Sequence, residues 1–278
     1  MGLVSKDDGW RIPDETWERM EPLLPPRPAH PLGCHNPRVP DREAMNAILL
    51  VLRTGMQWNA LSAGGICSSS SAHRRFSEWT QAGVFEEFWR QGLIAYDERH
   101  GIQWEWLSCD GLMGKAPLGG EETGPNPTDR AKKGEKRSLL CDGRGTPLGL
   151  EIAGANVNDF KLLRSTLESI VVHRPDASAE AQGICLDKGY DYPEVYELLG
   201  EYGLIAHVRS RGEEKKQLEQ DAGFRARRWV VERTHSWLNR FRGLLIRWSK
   251  KPENHRALLQ LACGLIAWRL ASAEGLAG

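Results

Sequence analysis

Three acidic side chains, far apart along the chain, could together hold a divalent metal ion. Asp110 closes the strand-like segment WEWLSCD, Asp187 closes the short apolar segment GICLD, and Glu232 lies among arginines in RRWVVERTHSWLNRFRG. Open α/β sheets place their ligands at the carboxyl ends of strands. Either aspartate alone is also typical of a turn or a helix cap, so the metal hypothesis depends on the combination.

The segment around Glu232 allows two interpretations. Wound as a helix at about 100° per residue, it places one stripe of residues in the core: Val230, Thr234, Trp237, Phe241, Leu244 and Trp248. The opposite side gathers Arg225, Arg228, Glu232, His235 and Asn239. In the first interpretation this side is solvated, and Arg228 forms an (i, i+4) ion pair with Glu232 worth about 0.2–0.5 kcal/mol. In the second, Glu232 is a metal ligand inside a surface that holds phosphates.

Charge is balanced over the whole chain but not along its length. The 278 residues include 37 Lys plus Arg and 37 Asp plus Glu, so the net charge by itself does not favour a nucleic-acid partner. Residues 222–251, in contrast, contain nine basic residues and one acidic residue. Such an asymmetry is typical of contact with a polyanion.

Cysteine usage and hydropathy indicate the compartment. The six cysteines show neither CxxC nor Cys/His ligand spacing, which favours reduced thiols over a zinc site or a disulfide framework. No apolar run approaches the roughly 20 residues that span a bilayer, and the segment MGLVSKDDGW lacks a signal-peptide pattern. We therefore expect a soluble, cytoplasmic protein.

The chain divides into a helical front and an alternating rear. Helices are predicted over residues 14–24, 41–54, 71–81 and 84–98, with Asp14 and Asp41 as N-caps. The rear begins with the strand that ends at Asp110, followed by two strands joined at residues 142–145 and a helix capped by Asp159. The strand GICLD, the helix YPEVYELLGEYG and the strand LIAHVR come next. The helix that carries Glu232 and a last helix over 253–273 complete the chain order. This alternation predicts an α/β architecture.

The order of these strands and acidic residues resembles the ribonuclease H-like fold of DDE transposases. Three blocks are similar to bacterial insertion-sequence transposases of family five: DGLMGKAPLGGEETGPNPTDRAKKGEKRSLLCDGRGTPLGLEIAGANVNDFKLL, LDKGYDYPE and RRWVVERTHSWLNRFRGLLIRW. The front segments LRTGMQWNAL and SSSSAHRRFSEW match as well, so the resemblance runs from about Trp17 to Trp268. It implies a small all-helical DNA-binding region over residues 1–100. Residues 101–278 would form a ribonuclease H-like catalytic domain, a mixed sheet flanked by helices, with a C-terminal helix.

By the same resemblance, Asp110, Asp187 and Glu232 are the catalytic triad. Cleaving a phosphodiester without a covalent enzyme intermediate requires an activated water or 3'-hydroxyl and a stabilised leaving oxygen, and two metal ions supply both. Carboxylates offer the oxygen ligands that Mg2+ prefers. We expect two Mg2+ ions, with Mn2+ as a substitute and Asp110 as the bridge between them. The implied enzyme binds the terminal inverted repeats of an insertion sequence, cleaves at its ends and joins the 3' ends to target DNA.

The implied partner is double-stranded DNA, both element ends and target, bound by a homodimer or higher oligomer near the bacterial nucleoid. In the family pattern a tyrosine, an arginine and a lysine surround the glutamate. Arg228 stands in the arginine's place, whereas Arg225 and Asn239 replace the other two. The candidate DNA-binding residues are Arg74, Arg75, Arg130, Lys132, Lys133, Lys136, Arg225, Arg228, Arg240 and Arg242. A solvated loop over 129–137 and a charged outer face on the third front helix are the alternatives.

Two other functions fit the same sequence. A catalytically inactive DNA-binding relative would show no metal-dependent nicking, and the intact set of two aspartates and a glutamate argues against it. A metal-dependent nuclease would release cut DNA without joining the 3' ends. Strand-transfer products distinguish a transposase from such a nuclease.

Overall fold

A computed structural model of the protein describes residues 10–26, 38–177, 180–208 and 229–273. Its helices are α1 (Asp14–Met20), α2 (Asp41–Thr54), α3 (Trp58–Ala63), α4 (Ser69–Gln81), α5 (Val84–His100), α6 (Asp159–Glu168), α7 (Pro193–Glu201), α8 (Trp229–Asn239) and α9 (Pro252–Ser272). Its strands are β1 (Trp106–Lys115), β2 (Gly124–Pro125), β3 (Lys133–Cys141), β4 (Pro147–Gly154), β5 (Gln182–Leu186) and β6 (Leu204–Val208).

The strands form one mixed sheet. Its order is β2-β3-β1-β5-β6, and β4 also pairs with β3. The β3–β4 hairpin and the β1–β3 pair are antiparallel, whereas β5 runs parallel to both β1 and β6. An antiparallel half followed by parallel strands, with helices between the strands, is the ribonuclease H-like arrangement predicted above. The prediction of the fold class is confirmed.

The hairpin turn forms at the predicted residues because Asp142 caps it. The Oδ1 atom of Asp142 accepts hydrogen bonds from the backbone N–H groups of Arg144, at 3.0 Å, and Thr146, at 2.7 Å. Gly145 has a φ of +83°, a conformation that glycine adopts without steric cost. The aspartate and the glycine therefore fix the turn that later contacts α8.

The helical front shares its hydrophobic core with the sheet. Helix α5 packs along α9, and one cluster of buried side chains runs from Ile12 to Ala271. Trp89 on α5 donates its indole N–H to the carbonyl oxygen of Pro147, at 2.9 Å. The division at residue 100 therefore does not separate two hydrophobic cores, and the domain boundary stays a prediction.

Several helix starts differ from the sequence predictions. Pro13, Pro40 and Asn158 occupy the N-cap positions that were predicted for Asp14, Asp41 and Asp159. Each aspartate is instead the first helical residue, where a carboxylate still interacts favourably with the positive end of the helix dipole. The short helix α3 was not predicted.

Two expectations from composition concern the cysteines and membrane-spanning helices, and both can be compared with the described residues. Their five cysteines are free thiols. No helix among them is long and apolar enough to cross a membrane.

Candidate active site

Asp187 directly follows β5, as predicted, whereas Asp110 lies inside β1, which continues to Lys115 through its pairing with β3. The prediction that Asp110 closes its strand was wrong. Strands β1 and β5 pair with Trp106 opposite Gly183 and Ser108 opposite Cys185. The same offset, continued by two residues, sets Asp110 opposite Asp187, the residue that follows β5. Because neighbouring strands lie about 4.8 Å apart, the two aspartate backbones stand side by side at the carboxyl end of the parallel pair.

Each aspartate has one oxygen held by a nearby backbone N–H. Gly111 donates to Oδ1 of Asp110 at 2.8 Å, and Gly189 donates to Oδ1 of Asp187 at 2.7 Å. Asp187 caps the short 3-10 turn Lys188–Tyr190, which leads the chain away from the sheet. Both side chains are partly exposed. These contacts limit the orientations that either carboxylate can take.

Helix α8 brings Glu232 towards the same strand. The helix packs on β1 and β3, and Nε2 of His235 lies 3.4 Å from the carbonyl oxygen of Asp110. Glu232 is exposed and lies three residues earlier on the helix. Residues three apart are neighbours on a helix surface. Glu232 therefore projects from the turn of α8 next to the one that touches Asp110.

The donor types suit a hard divalent cation, although the side chains are not gathered as a finished metal site. Among the residues that the structure describes, no three His, Cys, Asp or Glu side chains are grouped to hold a metal ion. Convergent carboxylates repel one another without a cation between them. Aspartate and glutamate supply the oxygen ligands that Mg2+ and Mn2+ accept. The residue types and the register of β1 and β5 are thus compatible with the predicted site, and the triad stays a prediction.

The orientation of α8 corrects the predicted helix face. His235 was placed on the solvated side with Glu232, yet only 5% of its surface is exposed. Burial, followed by the nearby charge of Arg137, lowers the pKa of His235 to about 3, so its ring is neutral. The helix ends at Asn239, and Trp248, predicted on the buried stripe, is 53% exposed. The prediction of burial was wrong for Trp248 because the helix does not continue to that residue, whereas Leu244 is buried as predicted.

The candidate DNA-binding residues separate into an exposed group and a buried group. The exposed ones are Arg74, Arg130, Lys132, Lys133, Arg240 and Arg242. Arg75 is buried and lies 2.8 Å from Glu78, and buried Lys136 lies 2.8 Å from Asp159. Burial and these ion pairs withdraw both cations from the exposed surface, which argues against the predicted DNA contact at Arg75 and Lys136. Arg225 and Arg228 lie outside the described residues.

Arg240 and Arg242 line a cavity of about 860 Å3 between the helical front and the end of α8. Three further arginines, Arg19, Arg53 and Arg269, line it as well, against the single acidic residue Glu15. The aromatic rings of Trp237, Phe241 and Trp268 form part of its wall. The guanidinium of Arg19 stacks 4.2 Å from the ring centre of Trp268. Five exposed or half-exposed arginines therefore lie together at this end of α8.

Sequence reasoning missed the residues that surround Asp110 on the other face of the sheet. Asp159, interpreted as a helix cap, reaches back over β1 at Gly111, and the 3-10 turn that contains buried Tyr190 packs against α6. Gly111 directly follows Asp110, and this Asp-Gly pair was the available signal. Nothing in the spacing of residues 111, 136 and 159 indicated that they meet.

Family models match most of the chain. Residues 12–89 match the model described as a putative transposase of the IS4/5 family, and residues 113–267 match the transposase DDE domain. The chain is 39% identical over 153 residues to a putative transposase for insertion sequence element IS402 of Burkholderia cepacia, covering 54% of this chain and 70% of that protein. It is 32% identical over 118 residues to an IS402 uncharacterized 16.2 kDa protein of the same organism, covering 42% and 80%.

Solved structures of the Mos1 transposase are distant neighbours. The Mos1 mariner paired end complex with Mn matches at 11% identity and a TM-score of 0.27, covering 86% of this chain and 89% of that one. A pre-cleavage Mos1 transpososome matches at 12% identity and a TM-score of 0.27, covering 75% and 79%. With TM-scores this low, the fold assignment depends on the strand order and on the family match.

Proposed function

Because the chain belongs to the DDE transposases of the IS4/5 type, enzymes that cleave DNA and transfer its strands, we propose that it acts on the ends of an insertion sequence. It binds the terminal inverted repeats, cleaves at the element ends and joins the 3' ends to target DNA. Asp110, Asp187 and Glu232 are the catalytic residues in this proposal. The observation that carries it is the register of β1 and β5, in which Ser108 pairs with Cys185, each two residues before one of the aspartates.

The three carboxylates would hold two Mg2+ ions, or Mn2+ in their place. When bound, these ions would activate the attacking water or 3'-hydroxyl and stabilise the leaving oxygen. The chain contributes the orientation of the ligands. The N–H groups of Gly111 and Gly189 each hold one aspartate oxygen, and the contact of His235 with the Asp110 carbonyl keeps the turn that carries Glu232 against β1.

Positive charge on the described surface supports DNA as the partner. None of the five arginines that line the cavity beside α8 forms an ion pair within the described part of the chain. Like charges gathered in this way repel unless an anion lies among them. Arg130, Lys132 and Lys133 add a second exposed group at the start of β3 and in the turn before it. Phosphates of the element ends and of the target DNA would neutralise both groups.

The proposal includes at least a homodimer on DNA, located with the bacterial nucleoid. An element has two ends, and both must be cut and joined to the target. Each protomer supplies one triad, so two protomers together supply one triad for each end. Light scattering of the protein with and without end DNA measures this assembly. A strictly monomeric, active complex would contradict it.

Asp110→Asn tests the catalytic assignment. The substrate is a duplex that carries one element end, taken from the DNA that flanks the reading frame. We expect the variant to lose Mg2+-dependent nicking while its band shift in Ca2+ stays at the wild-type level, because the basic surface is unchanged. Nicking by the variant at the wild-type rate would overturn the proposed triad. Wild-type nicking without joined 3' ends would identify a nuclease instead.

A further inference from the structure

The carboxylate of Asp159 lies over β1 next to Asp110. Its Oδ2 atom forms an ion pair with Nζ of Lys136, at 2.8 Å, and only 8% of the Lys136 side chain is exposed. Its Oδ1 atom is buried and accepts no hydrogen bond from the described residues. A buried carboxylate oxygen without a hydrogen-bond donor is unfavourable, because it has lost its hydration without replacement. The Oδ1 atom of Asp159 is therefore held in this position by its surroundings and not by a hydrogen bond of its own.

The unpaired oxygen occupies the space of a side chain at position 111. A Cβ atom added to Gly111 would lie 1.7 Å from Oδ1 of Asp159 and 2.9 Å from its Cγ. Only glycine fits beneath this carboxylate. The N–H of the same glycine donates to Oδ1 of Asp110, at 2.8 Å. Asp159 thus presses on the residue that orients the Asp110 side chain.

Further buried polar groups surround this contact. The hydroxyl of Tyr190 is fully buried and has no hydrogen-bond partner among the described residues. Tyr190 ends the 3-10 turn that Asp187 caps. Burial, and then the neighbouring groups Cys109, Asp159 and Asp110, raise the pKa of its hydroxyl, which stays protonated. The turn that follows Asp187 therefore packs near Asp159, which contacts the glycine that orients Asp110.

We propose that Asp159 and Lys136 are positioning residues, which fix Gly111 and through it the carboxylate of Asp110. Lys136 restrains the Asp159 side chain, and the Asp159 side chain restrains the backbone at residue 111. This inference rests on the proposed metal role of Asp110. It assigns to the first residue of α6 a function beyond starting a helix.

A purely structural ion pair would behave differently. Replacing both members of a buried pair with neutral side chains of similar size often leaves stability unchanged or raises it. Partners that orient metal ligands typically change metal affinity or activity by 10- to 100-fold when they are replaced. Metal affinity and stability must therefore be measured separately on the same variants.

The first measurement is calorimetric titration of Mn2+ into the full-length protein without DNA. We expect Asp159→Asn and Lys136→Met/Asp159→Asn each to weaken Mn2+ binding by about 10- to 100-fold, while the double variant melts near the wild-type temperature in metal-free buffer. Glu168→Gln, an exposed carboxylate later on α6 that contacts Tyr202, is the control and should bind Mn2+ normally.

A cycle of Gly111→Ala, Asp159→Ala and the double variant tests the contact itself. Gly111→Ala alone should weaken Mn2+ binding at least 10-fold, because the new methyl group meets the Asp159 carboxylate. In the Asp159→Ala background the same glycine substitution should add less than about a twofold loss, since substitutions at contacting residues are not additive. Equal losses from Gly111→Ala in both backgrounds would overturn the inference.

Asp110→Asn separates failure of the inference from failure of the proposed function. Weaker Mn2+ binding in Asp110→Asn together with unchanged binding in Asp159→Asn would overturn the positioning role alone. Unchanged Mn2+ binding in Asp110→Asn would overturn the proposed metal site and the positioning role with it.

Discussion

Thr234 donates its hydroxyl hydrogen to the carbonyl oxygen of Gly145, across 2.7 Å. One residue earlier on the helix, Arg233 donates to the carbonyl oxygen of Arg144, at 2.6 Å. Two consecutive side chains of α8 therefore bind two consecutive carbonyls of the β3–β4 turn. This attachment sets the position of the helix that carries Glu232.

The first prediction concerns Thr234→Val, which keeps the shape of the side chain and removes its donor. Leaving the buried Gly145 carbonyl without this bond should cost about 1–3 kcal/mol of unfolding free energy. Displacement of Glu232, two residues away, should lower the nicking rate further, since misplacing a catalytic group by about 1 Å can cost about 100-fold.

Thr80→Val is the matched control for this prediction. Thr80 donates to the carbonyl oxygen of Phe76 within its own helix, at 2.8 Å, and this helix, α4, carries none of the predicted catalytic residues. Its substitution should leave the nicking rate at the wild-type value. A stable Thr234→Val protein that nicks DNA as fast as the wild type would show that the attachment does not position Glu232.

Patterns local in sequence predicted most of the fold. Asp142 and Gly145 specify a hairpin turn by their own backbone preferences, and the strand that ends at Leu186 is a short apolar run. Asp187 follows that strand, as predicted. These features depend on a few adjacent residues, so the sequence was sufficient for them. The predicted strand end at Asp110 was wrong, because pairing with β3 extends β1 to Lys115.

Burial set by distant partners was not predictable in the same way. Lys136 lies in a run of charges that is typical of a solvated loop, but β3 runs through the middle of the sheet and Asp159 meets it from 23 residues away. The buried face of α8 depends on the hairpin turn and on Asp110, which lies 125 residues before His235. Helical periodicity alone therefore misplaced His235.

The second prediction concerns the buried carboxylate of Glu135. It lies 2.7 Å from Nε2 of His255 and 3.4 Å from Nη1 of Arg247, and all three residues are buried. Removing one member of a buried charge cluster typically costs about 3–5 kcal/mol. Glu135→Gln should lower the unfolding free energy by this amount at neutral pH, measured by urea unfolding.

The same carboxylate should contribute to acid unfolding. Burial alone would raise the pKa of Glu135, but the charges of His255, Arg137 and Arg247 outweigh burial and lower it. Its stabilising contribution is therefore complete above the unfolded value of about 4.3 and is lost as the pH falls through the lower folded value. Glu135→Gln should lose less stability over this range than the wild type, and Glu253→Gln, at an exposed site, should follow the wild-type curve. Parallel curves for Glu135→Gln and the wild type would refute this.

The third prediction uses metal binding as a stability measurement. A ligand that binds only the folded state at 100 times its Kd adds about 2.7 kcal/mol of stability. Mg2+ should therefore raise the melting temperature of the wild type, and Asp187→Asn should abolish most of this increase. Asp191→Asn removes an exposed carboxylate four residues later and should keep it. Equal Mg2+ stabilisation in Asp187→Asn and the wild type would exclude Asp187 as a ligand.

The last prediction concerns the arginines at the end of α8. If Arg240 and Arg242 contact DNA phosphates, each Arg→Gln variant should weaken binding to element-end and unrelated duplexes alike. Each lost contact should also flatten the salt dependence of log K by about 0.9. Binding is measured by fluorescence anisotropy in Ca2+ over a series of salt concentrations, so that cleavage does not intervene.

Arg164→Gln controls for a general loss of positive charge in this experiment. Arg164 is exposed but already pairs with Glu201, at 2.7 Å, on the outer surface of α6 and α7, so it has little charge to offer a phosphate and its loss should leave the slope unchanged. The two arginines are tested singly because they flank Phe241, whose ring packs against the core, and need not face the same phosphate. A slope that stays at the wild-type value in both variants would mean that this surface is solvated. Arg130, Lys132 and Lys133, at the start of β3 and in the turn before it, would then be the remaining candidates for DNA contact.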